Sequence, residues 1–245
     1  MNPRVTFATA RRVLDQLRGD HRTVALLLVV PCVLMALLYW VYAGQPEVFD
    51  RVGLLLLGIF PFVTMFLVTS VAMLRERTSG TLERLLTTPL AKLDLLLGYA
   101  LAFGVAALLQ AALASALALG PLGLHPAGSI ALVLVMAVAN AVVGMALGLF
   151  VSAFAQSEFQ AVQFLPAFVL PQLLLCGLIA PRDQMSGALE ALSAVLPMTY
   201  AVDGMSQLAQ TSDLSGDPLV DLLVVAGCAA GALALGAGTL RRRTA

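Results

Sequence analysis

Six long apolar runs alternate with short polar stretches along this chain: Val24 to Ala43, Val52 to Leu74, Leu95 to Leu119, Ile130 to Val151, Ala161 to Ala180 and Leu219 to Leu240. A helix rising about 1.5 Å per residue needs roughly 20 apolar residues to cross a hydrocarbon core about 30 Å thick. Each run therefore predicts a transmembrane helix, and the fold class is an all-α polytopic membrane protein. The runs leave little polypeptide for a folded soluble domain, so residues 1–245 read as a single transmembrane domain. Within it, 1–23 precedes the first span, 75–94 separates the second from the third, and 181–218 separates the fifth from the sixth. Composition agrees: 60% of residues are hydrophobic and 11% charged, outside the range of soluble globular chains.

Charge then orients the spans. The formal net charge is zero, but the basic residues are segregated. Arg4, Arg11, Arg12, Arg18 and Arg22 precede the first span, Arg75, Arg77, Arg84 and Lys92 follow the second, and Arg241, Arg242 and Arg243 follow the sixth. Only Arg51 and Arg182 fall on the opposite side. Cytoplasmic loops retain excess Lys and Arg, so both termini and the 75–94 loop are expected to be cytoplasmic. The first run is not followed by a small-residue cleavage site and is expected to remain as a span.

Inside the spans the chemistry is sparse. The third, fourth and fifth carry no Asp, Glu, Lys, Arg or His between Leu95 and Leu119, Ile130 and Val151, and Ala161 and Ala180. Their main polar side chains are Gln110, Asn140, Gln163 and Gln172, suited to bonding neighbouring helices. Ion-coupled carriers bury ionisable relays, and an intramembrane hydrolase needs a convergent catalytic set; neither pattern is present. Cys32, Cys176 and Cys228 all lie in apolar runs without metal-ligand spacing and read as packing residues. Pro31, Pro61, Pro166 and Pro171 are expected to kink their helices. Gly144 with Gly148, and Gly227 with Gly231, have the small-xxx-small spacing of close helix contacts, within one subunit or between two.

No GxxxxGK[ST] phosphate loop is present, and the single lysine, Lys92, does not follow a glycine-rich strand end. The chain is therefore not expected to be an enzyme or to bind a cofactor, and uphill transport would draw energy from another subunit. The segment RERTSGTLERLLTTPL, residues 75–90, is the place to look for that connection. Thr78 or Ser79 is suited to cap a short helix, Glu83 to its positive end, and Pro89 to stop it. Leu82, Leu85 and Leu86 form one apolar stripe. A helix so short must pack on something. Amphipathicity alone leaves two partners open, another protein or the membrane's own headgroups.

The string from Glu76 to Leu90, ERTSGTLERLLTTPL, resembles the ER-x-x-GTLE-x-L-x-x-TP signature of ABC transporter permeases of the type-2 exporter family, which lies between their second and third spans. Residues 160–205 resemble that family's fifth span and outer segment, with its Pro-x-Thr-Tyr element at Pro197, Thr199 and Tyr200. The resemblance implies that Glu76, Gly80, Thr81, Leu82, Glu83, Leu85, Thr88 and Pro89 couple the chain to a separate ABC ATPase, present in two copies, which holds ATP and Mg. It implies an interfacial helix from Val5 to Arg18, a re-entrant outer helical hairpin that closes the exit with Pro197, Thr199 and Tyr200, and a homodimer of permeases. Phe60, Phe62, Phe66, Phe164 and Phe168 are candidates for an aromatic substrate cavity between the second and fifth spans of both copies, or equally for lipid-facing or core packing. The expected function is the permease subunit of an ATP-driven multidrug or lipid efflux pump in a bacterial plasma membrane, in contact with lipid and not with nucleic acid. The alternatives are an ATP-independent channel or lipid scramblase, or a polysaccharide or glycolipid exporter.

Overall fold

A computed structural model of the chain describes residues 3–79, 92–211 and 217–239. These residues are helical with connecting turns. Helix α1 spans Pro3–Gly19, α2 His21–Val41, α3 Pro46–Thr78, α4 Lys92–Leu119, α5 Ile130–Val151 and α6 Glu158–Leu175. A 3-10 turn at Arg182–Gln184 leads to α7, Gly187–Ser193, then α8, Pro197–Gln210, and α9, Asp217–Thr239. Six of these, α2 to α6 and α9, are long and apolar enough to cross a membrane, as the six runs predict.

Two helices depart most from the sequence reading. Helix α3 extends beyond Val52–Leu74 at both ends, because the flanking Pro46–Arg51 and Arg75–Thr78 stretches continue the helix outside its apolar part. Helix α6 stops at Leu175 rather than Ala180. The reason is local: Gly177 takes φ +88°, a left-handed conformation that other residues adopt only under strain, and the chain turns away there.

Helices α3 and α5 form the centre, buried on several sides, whereas α2 and α6 leave most of their apolar surface uncovered. The α3–α5 contact is unusually close. A Cβ on Gly144 would overlap the backbone of Phe62, and one on Gly148 would overlap the Thr69 hydroxyl and the Phe66 carbonyl. The first small-xxx-small pair therefore serves packing within one chain. Gly227 and Gly231 meet nothing within 4 Å. The helices continue through Pro31, Pro61, Pro166 and Pro171.

The amides tie helices together. Gln110 Nε2 on α4 donates to Thr64 Oγ1 on α3, and Asn140 Nδ2 on α5 donates to the Gly58 carbonyl at 3.0 Å. Gln172 Nε2 instead bonds its own helix at the Phe168 carbonyl, 3.0 Å away.

Two edges result. At one lie α1, the end of α3 and the starts of α2, α4 and α6, joined by ion pairs and, for α4, by a hydrogen bond from Arg12 to Tyr99. It carries Arg4, Arg11, Arg12, Arg18, Arg22, Arg75 and Arg77, and is called the basic edge below. Arg51 and Arg182 lie at the other, where His125 N donates to Asp50 Oδ1 at 2.8 Å and Gly128 N to the Leu208 carbonyl at 2.8 Å.

Candidate functional site

The basic edge is assembled around the last turn of α3. Arg75 bridges three helices. Its Nε and Nη2 grip both oxygens of Glu158, the first-turn acid of α6, at 2.7 and 3.1 Å, and its Nη1 reaches Asp20 Oδ2 at 3.7 Å. Asp20 is the N-cap of α2: its carboxylate accepts from Thr23 N at 3.1 Å and from the Thr23 hydroxyl at 2.6 Å. Those two bonds, helped by Arg75, hold its pKa below the ordinary aspartate value. Arg75, Asp20 and Glu158 are all substantially exposed, so the pairs contribute only about 0–1 kcal/mol each to stability. Their importance is positional, since one guanidinium fixes the starts of two helices to the end of a third.

Next to it, Glu76 faces inward. Its Oε1 lies 3.5 Å from Arg12 Nη1 of α1, and Arg12 Nη2 donates to the Tyr99 hydroxyl of α4 at 2.5 Å while the guanidinium sits 5.7 Å from the Tyr99 ring centre. Glu76 Oε2 is buried with no hydrogen-bond partner among the described residues. Helix α1 is further anchored by a close approach to α4: a Cβ on Gly98 would come within 2.6 Å of Thr9 Cβ. Thr9, Ala10 and Val13 are buried there, while Phe7 is exposed. The amphipathic N-terminal helix is thus present, and its apolar face rests in part on protein.

A cavity of about 810 Å³ opens beside this cluster between α1, α2, α3, α4 and α6. Its mouth is polar, with Asp20, Arg75, Glu76 and Glu158, and its walls are apolar up to Thr64. None of the five candidate phenylalanines lines it. Phe66, Phe164 and Phe168 do come together, at 6.5 Å for Phe66–Phe168 and 6.1 Å for Phe164–Phe168. Phe62 and Phe66 are fully buried, Phe60 and Phe164 are half-buried and Phe168 is exposed.

At the other edge, Thr199 Oγ1 donates to the Ser193 carbonyl at 2.8 Å and Tyr200 Oη to the Ala194 carbonyl at 2.7 Å, while Pro197 occupies the first turn of α8. The Pro-x-Thr-Tyr element is the corner that turns α7 into α8. Arg182, which the sequence reading used only for charge, locks this corner: Nη1 contacts Asp203 Oδ2 at 2.6 Å and Nε donates to Ser193 Oγ at 3.1 Å. Burial pushes the Asp203 carboxyl up, against the pull of Arg182. Helix α8 packs into the bundle, with Met205 against Gly58 of α3 and Gly204 against Met136 of α5.

Of the proposed coupling residues, Glu76 is the one described; Gly80, Thr81, Leu82, Glu83, Leu85, Thr88 and Pro89 lie outside the described residues. Sequence reasoning missed Arg12, Tyr99, Phe103 and Phe159, whose roles arise from contacts between distant positions and leave no local signal.

Six spans, an amphipathic helix ahead of them and a charged cluster at one edge define a multi-pass membrane protein with a cavity open at that edge. Comparison with known proteins narrows the class: the family described as ABC-2 type transporter matches residues 4–209. The chain belongs to the ABC-2 type transporter family, the membrane permeases of ABC transporters. It is 28% identical over 173 residues to the probable multidrug ABC transporter permease YbhR of Escherichia coli K12, covering 69% of this chain and 47% of that protein. It is 27% identical over 143 residues to the probable multidrug ABC transporter permease YbhS of the same strain, covering 58% and 38%. ABC transporter G family member 20 of Dictyostelium discoideum is 28% identical over 150 residues, 61% of this chain and 20% of that one. The chain thus spans about half or less of the length of these relatives.

Proposed function

We propose that this chain is the membrane subunit of an ATP-driven exporter in a bacterial inner membrane, moving a lipophilic molecule outward with energy from a separate ATPase. Two permease copies pair, and two ATPase copies, holding ATP and Mg, dock on the cytoplasmic side. The basic edge is that side by the excess of arginine there. The uncovered apolar faces of α2 and α6 supply surface for lipid and for the second copy.

The observation that carries the reading is the connection of the coupling segment's stem to the helices around the cavity. Residues 80–91 follow the last turn of α3 directly. A push delivered there reaches the start of α2 through Arg75–Asp20, the start of α6 through Arg75–Glu158, and α1 through Glu76–Arg12. Half-exposed ion pairs are weak individually and exchange readily, which suits a joint that must be remade in each cycle. The α7–α8 corner, with Arg182–Asp203 as its latch, serves as a re-entrant outer closure.

Co-expression with a candidate ABC ATPase, followed by reconstitution in liposomes, tests the proposal. The expected result is a stable complex whose ATP turnover is stimulated by exported lipophilic dyes. Dye or lipid movement by the permease alone, without ATP, would instead support a channel or scramblase and overturn it.

A further inference from the structure

Resting on the exporter reading, we infer that the cavity at the basic edge is the loading site for a lipophilic cation, with Glu76 as its counter-charge. Three features define the occupant: depth, wall chemistry and charge.

Eleven residues of α3 separate Arg75 at the mouth from Thr64 at the inner end, about 16 Å of helix at about 1.5 Å per residue. The cavity therefore reaches from the headgroup level roughly halfway into the hydrocarbon core. Its volume of about 810 Å³ lies within the range of small-molecule sites. Leu67, Val68 and Val71 make the inner wall apolar, and Phe103 and Phe159 add aromatic surface. Such walls favour a hydrophobic body and aromatic faces that attract a cation.

Charge selects the head. Among the described residues, the carboxylates and cations lining the mouth are three carboxylates, Asp20, Glu76 and Glu158, and one guanidinium, Arg75. Arg75 is committed to Asp20 and Glu158. Glu76 is less well served. Arg12 reaches its Oε1 at 3.5 Å and is shared with Tyr99, whose hydroxyl also interacts with Glu76, while Oε2 is buried without a hydrogen-bond partner among the described residues. A buried carboxylate oxygen left in that condition is costly, and a monovalent cation seated against it recovers the lost interaction. An anionic amphiphile would meet an excess of like charge. Glu76 also stands at the stem of the coupling segment, so a cation bound there would report occupancy directly to the element that meets the ATPase.

Equilibrium dialysis of the purified chain in lipid nanodiscs tests this, with tetraphenylphosphonium and its anionic isostere tetraphenylborate in separate titrations. The expected result is saturable binding of tetraphenylphosphonium at one per chain and only non-saturable partitioning of tetraphenylborate. Glu76→Gln should weaken the cation at least tenfold, and Val71→Trp, which fills the cavity, should abolish saturable binding. Equal saturable binding of both ions by the wild-type chain, wild-type cation affinity in both variants, or no saturable cation binding would each overturn the inference. If cation binding fails while the chain still captures its ATPase and exports a dye, only the loading site falls. Loss of capture and export as well would count against the exporter reading itself.

Discussion

A methyl group added at Gly148 would meet the Thr69 hydroxyl and the Phe66 carbonyl at once, with backbone on one side that cannot give way. Thr69 is itself bonded to the Met65 carbonyl at 2.6 Å and to the Met145 carbonyl of α5 at 3.2 Å, so the contact is polar as well as close. Gly148→Ala should therefore destabilise the isolated permease by about 1–3 kcal/mol, the range for overpacking a tight contact. Gly231→Ala, where nothing lies within 4 Å, should stay within about 0.5 kcal/mol of wild type. Denaturation midpoints of both variants in one detergent check this, and equal midpoints would mean that α3 and α5 are not in such close contact. The spacing of glycines was legible in the sequence at both pairs. Which pair touches another helix was not, because that depends on how α5 and α9 are rotated about their axes.

At the scale of elements, α3 is the organising unit. Its 33 residues are about 50 Å long at about 1.5 Å per residue, more than a hydrocarbon core requires, so its ends project beyond the membrane. One projection carries Arg75 and Glu76 and leads into the 80–91 segment, for which the sequence resemblance implies a coupling role. Gly80→Pro and Glu83→Arg should leave insertion and dimerisation intact, because both positions lie outside the apolar spans. With the ATPase present, both should lose export, either by failing to co-purify or by hydrolysing ATP without stimulation by substrate. At the positive end of the short helix that the sequence predicts, the charge reversal would cost on the order of 1 kcal/mol locally, and more if a partner's cation is lost. Wild-type capture and export by both variants would reduce the segment to an ordinary loop. Helix existence was readable from apolar runs throughout; the early stop of α6 was hidden in the conformation of Gly177.

For the whole molecule, the partition of arginines predicts an orientation, and the helix ends reproduce the same two groupings of Arg4–Arg22 with Arg75 and Arg77 against Arg51 and Arg182. Single cysteines at Ser79 and Gly187, in a background with Cys32, Cys176 and Cys228 replaced, should react with a membrane-impermeant maleimide from opposite faces of the membrane. In intact cells Gly187→Cys should label and Ser79→Cys should not. Labelling of both from outside would refute the six-span arrangement.

Apolar run length, arginine placement and the ERTSGTLERLLTTPL string are properties of neighbouring residues, and they determined the membrane class, the number of spans, the two edges and the family. The thermodynamics behind them is local too: hydrocarbon rejects unpaired backbone groups and charge residue by residue, wherever the helix later packs. The cavity, the Arg12–Tyr99–Glu76 cluster and the Arg182–Asp203 latch were decided only by tertiary structure. Arg12 and Tyr99 are 87 positions apart, and Arg12 and Glu76 64 apart. Nothing in the periodicity of any one helix says which face of α1 meets α4, so the side chains that enclose an 810 Å³ space become neighbours only once the bundle has formed. The aromatic side chains illustrate the difference: the sequence leaves a substrate cavity, core packing and lipid contact all open for its phenylalanines, and only the packing of α3 shows that Phe62 and Phe66 are buried and that Tyr99, Phe103 and Phe159 line this cavity.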